Sequence, residues 1–276
     1  MAVVKLAALV LTAIVWVATL GIGVSYWLFV HGISSDLDSL TATARTPGVT
    51  VTEAMLAGLP APAQRYFRFA GVIGQPIPRI VRITQKGRIR SSAADNWMTF
   101  EADETYSTSP PAFLWRAYFP AKLTPIALGR DEYLDGKGSI VMKMLAVAPL
   151  ADEHGDELGA AGLMRYLNES MWFPAALLGP NVRIEAVDAA SFRATLSDRG
   201  RTAEGVFFVD GEGRLVNFRA LRYDTGTRAM GTWETPVAGY RSINGLNLPT
   251  SGSAVWKRDT GDLDYIELEV TGIAYE

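Results

Sequence analysis

A chain of 276 residues with 49% hydrophobic, 10% aromatic and 20% charged residues has the composition of an ordinary folded protein, long enough for one large domain or two small ones. A formal net charge of −3 and a pI near 5.6 give no electrostatic footprint for nucleic acid, so none is expected as a partner. The lack of any cysteine excludes disulfides, thiol catalysis and thiolate metal sites.

The chain opens with an uncharged run from Leu6 to Val30, longer than the roughly 20 apolar residues needed to cross a bilayer. Tyr26 and Trp27 stand at its outer end, where amphipathic rings favour the interface. A cleaved signal peptide is the alternative, but its apolar region is usually only about 7–15 residues before a small-x-small site. Here Trp27-Leu28-Phe29 occupies the place of that site, and residues 1–32 read as an uncleaved signal anchor. Lys5 precedes the span, whereas Asp36 and Asp38 follow it and Arg45 is the next cation. The positive-inside rule then predicts a single-pass membrane protein with a cytoplasmic N-terminus and an extracytoplasmic body.

Residues 33–50 are rich in Ser, Thr and Asp and read as a tether; residues 51–276 read as one β-rich domain. Thr52 is placed to cap a short helix with Glu53 in its first turn. A second helix is predicted from about Pro62 to Ala70, with Gly71 at its C′ position. Ile80–Arg90 then alternates, with Val81, Ile83 and Ile89 on one face and Arg82, Lys86, Arg88 and Arg90 on the other. Trp97–Tyr106 alternates as well, placing Glu101 and Asp103 opposite Met98, Phe100 and Ala102. With Ser91–Asn96 as connection, the basic row is expected to face the acidic row across an antiparallel pair.

Further strands are predicted at Ala112–Phe119, Lys122–Leu128 and Tyr133–Leu134, and the Asp135-Gly136 pair is a hairpin signal leading into Ser139–Leu145. Asp152, Glu153, His154, Asp156 and Glu157 lack the spacing of an EF-hand loop and read as a loop plus helix cap, with Asp156 as the cap. Leu163, Tyr166, Leu167 and Met171 recur at helical spacing, so Leu163–Gly179 is predicted to be a helix ending before Pro174 and plugging the sheet. Strand pattern resumes at Val182–Val187, Ser191–Leu196, Ala203–Val209, Leu215–Tyr223, Tyr240–Ile243, Ala254–Lys257 and Leu263–Tyr275. Strand follows strand without βα alternation. The expected fold class is α+β: a single curved antiparallel sheet, half-barrel-like, with a few helices over one face and one N-terminal transmembrane helix.

The segments LPAPAQRYFRFAG (59–71), PPAFLWRA (110–117), DEYLDGKG (131–138) and RYLNESMWFPAALL (165–178) resemble a family of bacterial proteins known only as a domain of unknown function. That resemblance implies no reaction. The predicted fold pattern is also similar to the lipoprotein carriers of the Lol type.

Arg165 and Glu169 lie one helical turn apart, in the weaker order for an exposed helix pair, and read either as a buried polar clamp or as a ligand contact. Arg116 and Arg222 share strand faces with apolar neighbours, so they either snorkel or meet Glu169 or an acidic ligand. Trp115 and Trp172 read as core or as the lining of an apolar pocket. Candidate ligand-binding residues are therefore Trp115, Arg116, Arg165, Glu169, Trp172 and Arg222, with no catalytic, metal or cofactor motif. The leading expectation is a membrane-anchored module that binds a hydrophobic or amphiphilic ligand, such as a lipid, between sheet and helix. Its alternatives are an envelope hydrolase or transferase using Asp131, Glu169 and arginines, and a docking scaffold for another envelope protein.

Overall fold

The computed structural model describes residues 1–120 and 125–276. Part of the strand expected at Lys122–Leu128 therefore lies outside the described residues. The chain opens with α1 (Ala2–Thr43), the short α2 (Glu53–Leu56) and α3 (Ala61–Ala70). Six strands follow: β1 (Ile80–Ile89), β2 (Met98–Thr108), β3 (Pro111–Pro120), β4 (Pro125–Leu134), β5 (Lys137–Met144) and β6 (Ala148–Gly155). Then come α4 (Asp156–Glu169) and two 3-10 turns, Ser170–Trp172 and Pro174–Leu178. The second half holds β7 (Val182–Asp188), β8 (Ser191–Asp198), β9 (Arg201–Val209), β10 (Leu215–Asp224) and β11 (Ala229–Glu234). It ends with β12 (Val237–Ala238), β13 (Arg241–Ile243), β14 (Leu246–Leu248), β15 (Ser251–Lys257) and β16 (Leu263–Tyr275).

All pairings are antiparallel, and the main sheet runs β6-β5-β4-β3-β2-β1-β16-β15-β11-β10-β9-β8-β7. Laid flat at about 4.8 Å per strand, that order would be roughly 58 Å wide. Yet α4, about 21 Å long, touches β6, β5, β4 and β3 on one wing and β10, β9 and β8 on the other. The sheet must therefore curl around the helix. Eight steps separate β4 from β9, and at roughly 20–25° of twist each the wings turn about half a revolution apart. The β4–β5 turn thus meets the β8–β9 turn, where Arg199 pairs with Asp135 at 2.7 Å and Arg201 Nε donates to the Gly136 carbonyl at 2.7 Å. Asp135 (φ 52°) and Gly136 (φ 79°) take the left-handed conformations of the tight hairpin that their sequence predicts.

The hollow of the sheet holds the main core. Tyr106, Phe113, Tyr133, Tyr166 and Phe173 fill it beneath α4, and Tyr66, Phe67, Phe192, Phe207 and Phe218 fill the other wing. Burial of this much aromatic surface is the dominant stabilising contribution to the fold.

Three local expectations are corrected. Residues 33–43 form no loose tether: α1 continues to Thr43, and Phe29, Ile33, Leu37 and Leu40 recur along one stripe that packs on Ile80, Ala112 and Leu114 of the convex face. Arg130 pairs with Asp36 at 2.6 Å, and Arg79 donates to the Thr41 carbonyl at 3.1 Å, so this docking is polar as well. Asp156 is the first residue of α4 rather than its cap, and its carboxylate meets Arg201 at 2.8 Å. The basic and acidic rows of β1 and β2 face each other as expected, with Lys86 opposite Glu101, but the ion pairs form along the other edge of β1, where Lys86 meets Glu269 at 3.1 Å and Arg88 meets Glu267 at 2.7 Å on β16. Strands β6, β11, β12 and β14 fall outside those the sequence predicts. β6 (APLADEHG) lies at the sheet edge and carries no clean alternation.

Candidate functional site

Directly opposed residues on five neighbouring strands, Glu104 of β2, Trp115 of β3, Asp131 of β4, Ile140 of β5 and Glu153 of β6, form one row across the concave face. Acidic residues on an otherwise apolar face are costly unless paired. The partner comes from α4. Its Gly162 lies over the Tyr133 ring, letting the helix approach the sheet closely enough for Arg165, one turn later, to reach this row.

Arg165 engages three carboxylates at once. Its Nε donates to both oxygens of Glu169 at 2.9 and 3.0 Å, Nη1 to Asp131 at 2.6 Å, and Nη2 to Glu104 at 2.8 Å. The guanidinium lies 5.0 Å from the Phe113 ring centroid and 5.4 Å from that of Trp115. A second layer holds the carboxylates in turn. Tyr106 Oη donates to Glu169 at 3.0 Å, Gln85 Nε2 donates to Glu104 at 2.8 Å, and Trp115 Nε1 donates to Gln85 at 3.3 Å. The side chains are 14% exposed for Arg165, 13% for Asp131, 8% for Glu169 and 0% for Glu104. A planar cation with spatially fixed donors suits this three-way contact in a way that a lysine ammonium does not.

With one cation and three carboxyls, the cluster carries excess negative charge in a poorly solvated place. Burial pushes the Glu104 carboxyl well above the ordinary carboxylate range, and Arg165 draws it back only in part. Burial raises Glu169 for the same reason. Burial also opposes the charge on Arg165, but Glu104, Glu169 and Asp131 outweigh it and hold the guanidinium firmly protonated. A carboxyl raised in the folded state contributes stability that is fully present below its unfolded pKa of about 4.3 and is lost as pH rises through the raised value. Glu169→Gln removes one such group. The stability of the wild type relative to this variant is therefore expected to fall as pH rises from about 4.3. Paired urea titrations across pH measure this, and parallel profiles would place the retained proton elsewhere.

The six candidate residues divide. Trp115, Arg165 and Glu169 come together in the cluster. Arg222 faces the same hollow from β10, with Nε donating to the Ala161 carbonyl at 3.3 Å and its guanidinium 4.7 Å from the Trp233 ring centroid. Among the described residues no carboxylate lies within ion-pairing distance of Arg222. Trp233 Nε1 donates to Tyr265 Oη at 3.0 Å, so Arg222, Trp233 and Tyr265 form a second wall of the hollow. Arg116 does not join them: it lies on the convex face and pairs with Asp103 at 2.8 Å. Trp172 is also apart, its Nε1 spent on the Pro249 carbonyl at 3.1 Å. Glu104 and Gln85 belong to the cluster but are absent from the candidate list. Their signal was present, since each is a polar residue in phase with the apolar face of its strand.

Between sheet and α4 the buried side chains Tyr106, Phe113, Tyr166 and Phe173 pack against one another. The cavity bordering that layer, lined by Tyr166, Leu167, Ser170 and Leu177 among others, holds about 10 Å³, one water at most. Nearer the rim where β1 ends and β2 begins, the concave side chains of Ile89, Met142, Tyr265, Ile266 and Leu268 are only partly buried. The more accessible part of the hollow is therefore toward this rim.

A model of the family described as "Family of unknown function (DUF6544)" matches residues 49–268, a range that holds all four motifs singled out in the sequence. Among solved structures, the chain is similar to a LolA superfamily protein from Nitrosomonas europaea, with 12% identity and a TM-score of 0.44 over 78% of this chain and 93% of that one. It is also similar to a DUF1329 family protein from Desulfovibrio piger, with 10% identity and a TM-score of 0.41 over 83% and 94%. No curated protein matches the chain.

Proposed function

We propose that this chain, which belongs to the family of unknown function DUF6544, is a membrane-anchored extracytoplasmic module that receives an amphiphilic ligand in the rimward part of its hollow. One observation carries the reading. A buried, charge-unbalanced cluster around Arg165 and a second cation, Arg222, lie in the same hollow, whose rimward apolar side chains are only partly buried. A few fixed polar groups at the end of an apolar recess are what an amphiphile requires: the recess takes the tail, and Arg222 with the cluster takes the head group. The α1 helix holds the module at the bilayer that supplies such molecules.

Native mass spectrometry of the full chain, purified in detergent from its host membrane, tests this. A co-purifying amphiphile is expected in the wild type and is expected to be lost in Arg222→Ala, whose side chain makes no ion pair among the described residues. A wild type free of any adduct would remove the proposal.

A hydrolase or transferase is the second reading, favoured by the convergence of Asp131 and Glu169 on one arginine. Against it, both carboxylates are occupied by that arginine, leaving neither as a free base or nucleophile.

A further inference from the structure

The docking of α1 on the convex face fixes which part of the body faces the bilayer, an argument that rests on α1 being the membrane anchor. Residues before Ser25 are exposed throughout, whereas Ser25 donates from Oγ to the Ala146 carbonyl in the turn between β5 and β6. The uncharged stretch Leu6–Val24 just before that contact covers roughly 28 Å of helix at about 1.5 Å per residue. A hydrocarbon core is about 30 Å thick, so the free length matches one crossing. The β5–β6 turn consequently lies at the depth where α1 leaves the membrane.

That turn is apolar and exposed. Met144, Leu145, Val147 and Leu150 are 41%, 46%, 51% and 47% exposed. Leu145 (φ 48°) and Ala146 (φ 58°) hold left-handed conformations that a solvent-facing hairpin normally gives to Asn or Gly. Directly behind the turn, α1 and the outer faces of β4–β6 enclose a groove of about 360 Å³, lined by Phe29, Arg130, Lys143 and His154 among others. Lys143 lies 5.4 Å from the Phe29 ring centroid, and no carboxylate lies within ion-pairing distance of it among the described residues. Apolar side chains at the tip with a cation just above them match the order of acyl chain and phosphate in a lipid leaflet.

We infer that the β5–β6 hairpin is a second membrane contact, with Met144, Leu145 and Val147 seated in the interfacial layer of the leaflet that α1 leaves and Lys143 at the phosphate level. With α1 docked on the body, the hairpin contact adds a second point of attachment that sets the tilt of the body on the membrane surface. The two contacts also turn the rimward opening of the hollow toward the lipid.

The absence of native cysteines permits a direct test. Full-length protein carrying Val147→Cys, Leu20→Cys or Gly211→Cys is labelled with an environment-sensitive fluorophore and reconstituted in phosphatidylcholine–phosphatidylglycerol nanodiscs with nitroxide lipids. Label at position 147 is expected to shift to the blue and lose emission to a shallow nitroxide, label at 20 to lose emission to a deep one, and label at 211 to do neither. Quenching at 20 without quenching at 147 would overturn the hairpin contact while leaving the anchor intact. No quenching at either would overturn both.

Discussion

Replacing Arg165 with methionine is expected to lower the stability of the body by about 3–5 kcal/mol, the usual cost of removing one partner from a buried ion pair. The cost arises less from the lost attraction than from what remains. Glu104, Asp131 and Glu169 would face one another without a counter-charge, and Glu104 has no access to solvent. The loss is expected to shrink as pH falls, because burial already raises Glu104 and Glu169 and protonation then neutralises them. Arg165→Lys should lie between the two, since one ammonium cannot meet three carboxylates that now contact three different guanidinium nitrogens. Urea midpoints at several pH values measure all of this. A methionine variant as stable as the wild type would mean that the carboxyls are neutral in the native protein.

Gly138→Ala carries the second large effect. A Cβ at position 138 would lie 2.0 Å from the Leu158 carbonyl oxygen and 2.3 Å from its carbon, both in the first turn of α4. No flexible side chain intervenes, so helix or strand must move. Overpacking of this kind costs about 1–3 kcal/mol and more where backbone meets backbone. Moving α4 also moves Arg165, which sits two turns further along the same helix. Loss of stability should therefore be accompanied by a changed near-ultraviolet circular dichroism signal from the aromatic residues packed around α4. Gly211→Ala is the control, because its Cβ would meet nothing within 4 Å. Equal behaviour of the two variants would refute the close seating of the helix.

Much of the architecture follows from local patterns. Alternation in Ile80–Arg90 and Trp97–Tyr106 dictates strands, because one face must be buried and the side-chain period of a strand is two. The uncharged length of Leu6–Val30 dictates a helix able to span a bilayer. The i,i+4 spacing of Arg165 and Glu169 dictates that the two can meet.

Other features depend on neighbours that no local window contains. The stripe Phe29, Ile33, Leu37 and Leu40 is diluted by serine, threonine and aspartate, and becomes a docking face only because β1 and β3 turn Ile80 and Leu114 outward beneath it. Arg116 and Trp115 are adjacent in sequence yet lie on opposite faces, and only the direction of sheet curl decides which face is the hollow. Arg165 was legible as half of a pair. That it serves three carboxylates follows from the register of β2, β3 and β4, which sets Glu104 and Asp131 on either side of Trp115. Periodicity, charge and turn chemistry act over a few residues and are written in the sequence itself. Strand register and sheet twist act across the whole chain, and in this protein they bring Glu104 and Asp131 to the Arg165–Glu169 pair of α4.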